Sequence, residues 1–158
     1  MGVDADRTGA DPGEPVDALA FLLGRWRGSG LWGGRPFASR TEIASLLGRY
    51  VQIDVLAEQP GRPAHRERVV VYACGPDGSG RLAAVLFPDR GDVQLFDVVA
   101  GDGVVRFQHT PTAGSGLAAQ RWTVQRTAEG YDEIYEVAPG GGPFQTSVTC
   151  SYTPEESA

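Results

Sequence analysis

From residue 25 onward the chain is written in short runs in which apolar and polar residues alternate, each closed by glycine, proline or aspartate. Alternation with a period of two is the pattern of a half-buried strand, and ten extended segments are predicted: 25–32, 36–45, 49–57, 65–74, 81–88, 92–99, 103–109, 118–127, 131–138 and 144–152. Gly33-Gly34, Gly48, Gln59 to Pro63, Pro76 to Gly80, Asp89-Arg90-Gly91, Gly101-Asp102-Gly103, Pro111 to Gly116, Glu129-Gly130 and Gly140 to Pro143 separate them. Before these strands the spacing changes. Apolar residues at 16, 19, 20, 22 and 23 suit one or two helical turns that stop at Gly24. Residues 1 to about 15 carry Asp, Gly and Pro with almost no large apolar side chains, the composition of a disordered tail.

Most gaps are the length of hairpin turns, and none holds a crossover helix. A long meander of this kind avoids bare edges by closing on itself. The expected fold is therefore all-β: a ten-stranded antiparallel up-and-down β-barrel with a short N-terminal helix, one domain over residues 16–154. The faces of the strands are mixed. Val51, Ile53 and Val55 oppose Gln52, Asp54 and Leu56, while Tyr131, Glu133, Tyr135 and Val137 oppose Asp132, Ile134 and Glu136. A solid core asks for one clean apolar face, whereas a barrel with a ligand cavity tolerates polar groups inside.

Composition narrows the partners. The 158 residues are 41% hydrophobic and 22% charged, enough for one real core, and the 22 glycines and 11 prolines fit many tight turns. A formal net charge of −6 argues against nucleic acid or an anionic membrane as partner. The acidic start Met1-Gly2-Val3-Asp4-Ala5-Asp6 lacks the apolar run of a secretory signal, and no window reaches the ~18 apolar residues of a membrane span. Cys74 and Cys150, with no CxxC spacing, are read as reduced thiols of a cytoplasmic protein, monomeric or homodimeric.

The phrase Leu19-Ala20-Phe21-Leu22-Leu23-Gly24-Arg25-Trp26-Arg27-Gly28, a helical turn running into Gly-x-Trp, resembles the opening of calycin barrels. It is most similar to the nitrobindin and fatty-acid-binding-protein-like family and to its bacterial branch. Gly61-Arg62-Pro63-Ala64-His65-Arg66-Glu67 is similar to a Gly-x-Pro-x-His-x-Glu segment of that family. A looser likeness runs through Arg121-Trp122-Thr123-Val124 and Gly130-Tyr131 to the last strand. The resemblance implies that Trp26 plugs the closed end of the barrel, under a late-strand arginine for which Arg121 is the candidate. It also implies haem bound by a histidine near the C-terminus. The only histidines here are His65 and His109, so that ligand has no position to carry over.

His109, on the face of Val105 and Phe107, admits two readings: a rim histidine bonded to a neighbour, or a general acid or base facing a ligand. His65 is read as a loop-end residue bonded to Glu67 or to backbone. The strand carboxylates Glu42, Asp54, Glu67, Asp97, Glu133 and Glu136 are expected to face solvent. Asp54 and Asp97 are the first to test for burial and a raised pKa, and with His109 they form the candidate catalytic set. Trp32, Gln52, Tyr72, Phe107, Trp122 and Tyr135 are the candidate ligand-binding residues. No metal spacing, nucleotide loop or nucleophile elbow is present, so no cofactor or metal is expected.

Three functions follow as expectations. The first is binding of a small hydrophobic molecule in the barrel. The second is a cofactor-free isomerase or cyclase acting on a hydrophobic metabolite in the same cavity. The third is haem binding. An all-apolar cavity would speak for carriage, and an ionisable side chain at its centre for catalysis.

Overall fold

The structure, a computed structural model, describes residues 14–75, 80–112 and 114–156, and the expected tail falls almost wholly outside them. A 3-10 helix, Pro15–Leu22, leads into ten strands: β1 (Gly24–Trp32), β2 (Arg35–Leu46), β3 (Tyr50–Glu58), β4 (His65–Cys74), β5 (Arg81–Pro88), β6 (Gln94–Gly101), β7 (Val104–His109), β8 (Ala119–Arg126), β9 (Tyr131–Ala138) and β10 (Gln145–Pro154). Each pairs antiparallel with its sequence neighbours, and β1 pairs with β10, so the sheet is a closed barrel.

The strands form where alternation meets β-branched and aromatic side chains, and they end where the backbone must turn left-handed. Gly33 and Gly34 between β1 and β2 sit at φ 58° and 75°, values that glycine adopts without a Cβ penalty. The inward residues build the core: Ile43, Val51, Ile53, Val69, Val71, Ala84, Phe96, Val105, Phe107 and Val124 are buried.

The 3-10 helix closes one end. Its Val16, Leu19 and Leu22 are buried, and it packs on β3 to β6. Gly24, at φ 133°, turns the chain from this helix into β1. Trp26 then lies inside the capped end, where its indole N–H donates to the Leu22 carbonyl at 2.7 Å and its ring meets Tyr131 edge-on at 5.0 Å. The plug role holds, but its arginine is not Arg121. Arg121 forks onto Glu136 at 2.7 and 3.0 Å and stacks over Phe144 at 4.2 Å. At the capped end it is Arg126 that lies over an aromatic ring, that of Phe21 at 5.4 Å. Arg121 pairs across strands with Glu136 on the outer face, and so its side chain is committed there.

Gly28 and Gly30 follow Trp26 on the inward face and let β1 press against β10. A Cβ on Gly28 would fall 2.5 Å from the Tyr152 ring, and one on Gly30 would overlap the Thr149 carbonyl oxygen. Cys74 and Cys150 lie on β4 and β10, which are not neighbours, and no disulfide joins them. No helix among the described residues is long and apolar enough to cross a membrane.

Candidate functional site

With one end closed by the helix and Trp26, the interior opens toward the other, where the loops after β1, β3, β5, β7 and β9 gather. A cavity of about 290 Å³ lies at that end. This is close to the lower bound, about 300 Å³, of pockets that hold small molecules. Its wall is aromatic and aliphatic, including Trp32, Phe37, Val55, Leu86, Phe96, Trp122, Tyr135 and Val148. Trp122 stacks on Phe107 at 4.2 Å, and Trp32 meets Phe37 edge-on at 6.1 Å, which fixes the rings before any ligand enters.

Five acidic or basic side chains line this space: Arg90 and Asp92 from the loop between β5 and β6, and His65, Glu67 and Glu133 from the inner faces of strands. His65 and Glu67 alternate with Val69 and Val71 on the inner face of β4, and Glu133 alternates with Tyr131 and Tyr135 on that of β9. In a ten-membered ring of strands β4 and β9 stand on opposite walls, so Glu67 and Glu133 look across the cavity at each other. Glu133 retains some accessible surface, and that surface is cavity wall. Burial pushes its carboxyl from 4.5 up to about 8, and the Glu67 charge adds to the rise. The neighbouring Trp122 N–H and Tyr152 hydroxyl pull the other way. At pH 7 Glu133 is therefore a neutral acid able to donate a hydrogen bond.

His65 is held from both sides. Its Nε2 lies 3.1 Å from Glu67 Oε2 and its Nδ1 lies 3.2 Å from Asp89 Oδ1. The bond to Glu67 raises its pKa most, partial burial opposes, and the charges of Glu67 and Asp89 add to the rise. Asp89 also accepts from the Arg66 backbone N–H, which ties the β5–β6 loop, with cavity residues Arg90, Gly91 and Asp92, to the start of β4.

The floor is polar but internally committed. The Tyr152 hydroxyl donates to Ser39 Oγ at 3.0 Å, its ring stacks on Tyr131 at 4.5 Å, and burial holds both phenols well above their usual range. The Tyr135 hydroxyl donates to Gln120 at 2.6 Å, and burial raises it to about 12. One donor is left over. The Trp122 indole N–H is buried, approaches the Glu133 carboxyl, and closes no hydrogen bond of good geometry. A buried donor without a partner costs about 1–3 kcal/mol, so it favours a guest that accepts from it.

Of the residues singled out in the sequence, Trp32, Trp122 and Tyr135 line the cavity, and Phe107 backs Trp122 from within the core. Gln52 and Tyr72 lie on the outer face, between the inward residues of β3 and β4. Gln52 donates to Asp54 at 2.7 Å, and the Arg68 guanidinium, at 2.6 and 3.1 Å, holds Asp54 below the usual carboxylate range. Asp97 is exposed, 3.9 Å from Arg81. His109 Nδ1 bonds the Leu95 carbonyl at 2.8 Å, its ring lies against Phe96, and it is not in the cavity wall. The expectation that every strand carboxylate faces solvent fails at Glu67 and Glu133. Their positions shared a face with Val69 and Val71, and with Tyr131 and Tyr135, and that parity outweighs the preference of a charged residue for water.

No protein-family model matches the chain, and no curated protein matches it. Among solved structures it is similar to the crystal structure of Rv2717c from M. tuberculosis, with a TM-score of 0.63 and 16% identity over 92% of this chain and 100% of that one. A likeness at that identity is one of fold: the chain shares the architecture of that protein along nearly its whole length.

Proposed function

We propose that the barrel binds one small, mostly apolar molecule in the cavity at its open end. The observation that carries this reading is an interior of about 290 Å³ walled by stacked and edge-packed aromatic rings, in a barrel whose other half is filled. The closed topology and the opening phrase through Trp26 favour descent from the calycin-like barrels related to nitrobindin. Haem ligation finds less support. His65 is the one histidine that reaches the cavity, and two carboxylates engage its ring nitrogens.

The uncharged fluorophore prodan tests the binding reading. It is expected to bind with a stoichiometry of one, shift its emission to the blue, and accept energy from Trp32 and Trp122. Val148→Phe, which puts a larger side chain into the cavity wall, is expected to weaken this binding roughly tenfold or more while leaving the far-ultraviolet circular dichroism unchanged. Absence of saturable binding, or binding indifferent to V148F, would overturn the reading.

Glu133 favours a second reading, a cofactor-free isomerase or cyclase. A protonated carboxyl facing the Glu67 carboxylate across an apolar space is an acid opposite a base. Exchange of deuterium from solvent into the carbons beside the carbonyl of 2-tetralone, lost in both E133A and E67Q, is the expected signature. Exchange no faster than in buffer would remove this second reading.

A further inference from the structure

Resting on the binding reading above, we propose that the guest is an uncharged, largely apolar molecule with one hydrogen-bond-accepting head group. That group goes in first and is received by the Glu133 carboxyl and the Trp122 indole N–H. Four observations converge on it.

The first is the number of donors. Inside the cavity the phenols of Tyr135 and Tyr152 already donate to Gln120 and Ser39, whereas the Trp122 N–H only approaches the Glu133 carboxyl and closes no hydrogen bond of good geometry. A buried donor with no acceptor is satisfied by a carbonyl, ether or similar head group, and not by an ammonium, which only donates. The second is depth. Glu133 pairs across strands with Cys150 and Val124, just above the Tyr131–Tyr152 stack that fills the capped half, so its carboxyl stands at the inner end of the space. A guest that meets it must enter head-first.

The third is charge. An anionic head group, such as a fatty acid carboxylate, would need a cation at that depth. His65 is claimed by Glu67 and Asp89, while Arg90 reaches the Ala64 carbonyl near the mouth. The groups around Glu133 are Glu67 from β4, Cys150 and Tyr152 from β10, Tyr131 from its own strand and Trp122 from β8, with no cation among them. The fourth is protonation. With its carboxyl raised to about 8, Glu133 carries the proton it would donate at neutral pH and attracts an ammonium only weakly.

Four naphthalenes of one shape, displacing prodan, test the assignment: 2-acetylnaphthalene, 2-ethylnaphthalene, 2-(aminomethyl)naphthalene and 2-naphthoate. At pH 6.5 the acetyl compound is expected to bind roughly tenfold tighter than the ethyl compound, the worth of one good hydrogen bond, and tighter than both charged compounds. At pH 9.5 that advantage should vanish in the wild type, because the ionised carboxyl no longer donates and draws the neighbouring Trp122 N–H to itself. Glu133→Gln keeps a neutral donor and should keep the advantage at both pH values, while Glu133→Ala, left with the Trp122 N–H alone, should show a smaller advantage that does not change with pH. Equal or tighter binding of the amine or the naphthoate at pH 6.5 would overturn the proposal. So would an E133Q protein that still loses affinity on going to pH 9.5, since the titrating group would then lie elsewhere. If prodan itself never binds, the underlying binding reading fails instead.

Discussion

Glu133→Gln is expected to stabilise the protein by about 3 kcal/mol at pH 7, roughly 6–12 °C in melting temperature, and to change almost nothing at pH 4.5. The sign comes from proton linkage. Unfolded, Glu133 titrates near 4.5; folded, near 8. Between those values the folded chain binds a proton that the unfolded chain has released, so stability falls as the pH rises through that window and levels off above it. Glutamine has the same shape, offers a donor and never ionises, so the variant escapes the loss. His65 contributes a slope of the same sign in both proteins. Its folded pKa is raised, so its stabilisation is complete below about 6.5 and is lost as the pH climbs through the folded value. The difference between wild type and E133Q, followed by thermal melts at pH 4.5, 6, 7 and 8, therefore isolates Glu133. A difference that is flat with pH would mean that the carboxyl titrates normally and is not held in an apolar interior.

Gly30→Ala is expected to cost about 3 kcal/mol, the upper end for overpacking. The added carbon would overlap the Thr149 carbonyl oxygen and crowd the Cys150 Cα, and neither can swing aside as a flexible side chain would. The damage falls on the β1–β10 seam that closes the barrel. Gly101→Ala is the matched control. It too replaces a strand glycine, but nothing lies within 4 Å of the new carbon, so its melting temperature should stay close to that of the wild type. Equal melting temperatures for the two variants would show that β1 and β10 do not approach as closely as described.

The barrel was legible because turn chemistry punctuates the chain. Gly33-Gly34 and Gly101-Asp102-Gly103 stand where left-handed backbone is needed, and each predicted strand meets its counterpart within a few residues. The pockets were harder to read than the strands. Deciding which face points inward needs one face to be clearly apolar, and β6 defeats that test. Its outward Leu95 and Val99 are 63% and 73% exposed, while its inward face carries Gln94 beside Phe96 and Val98. Asp97, on the face of Leu95 and Val99, therefore stood as a candidate for burial, and it is exposed. Glu67 and Glu133 fail in the opposite direction. Their parity marked them as inward, yet charge alone suggested water, and only the cavity and the opposed strands β4 and β9 explain why both stay inside. His65 read correctly as the partner of Glu67, whereas its second carboxylate, Asp89, comes from a loop on another hairpin that no local spacing could supply.

The seam has an architectural corollary. Because β1 lies beside β10 and the Glu155 N–H donates to the Arg25 carbonyl at 2.8 Å, the first and last strands finish next to each other at the capped rim. As a ring of hairpins the protein has no privileged beginning. A tether from the end of β10 to the start of the 3-10 helix, long enough to cross the capped end, with the chain reopened at the Gly101-Asp102-Gly103 turn on the same side, would keep the strand ladders and leave the mouth of the cavity untouched.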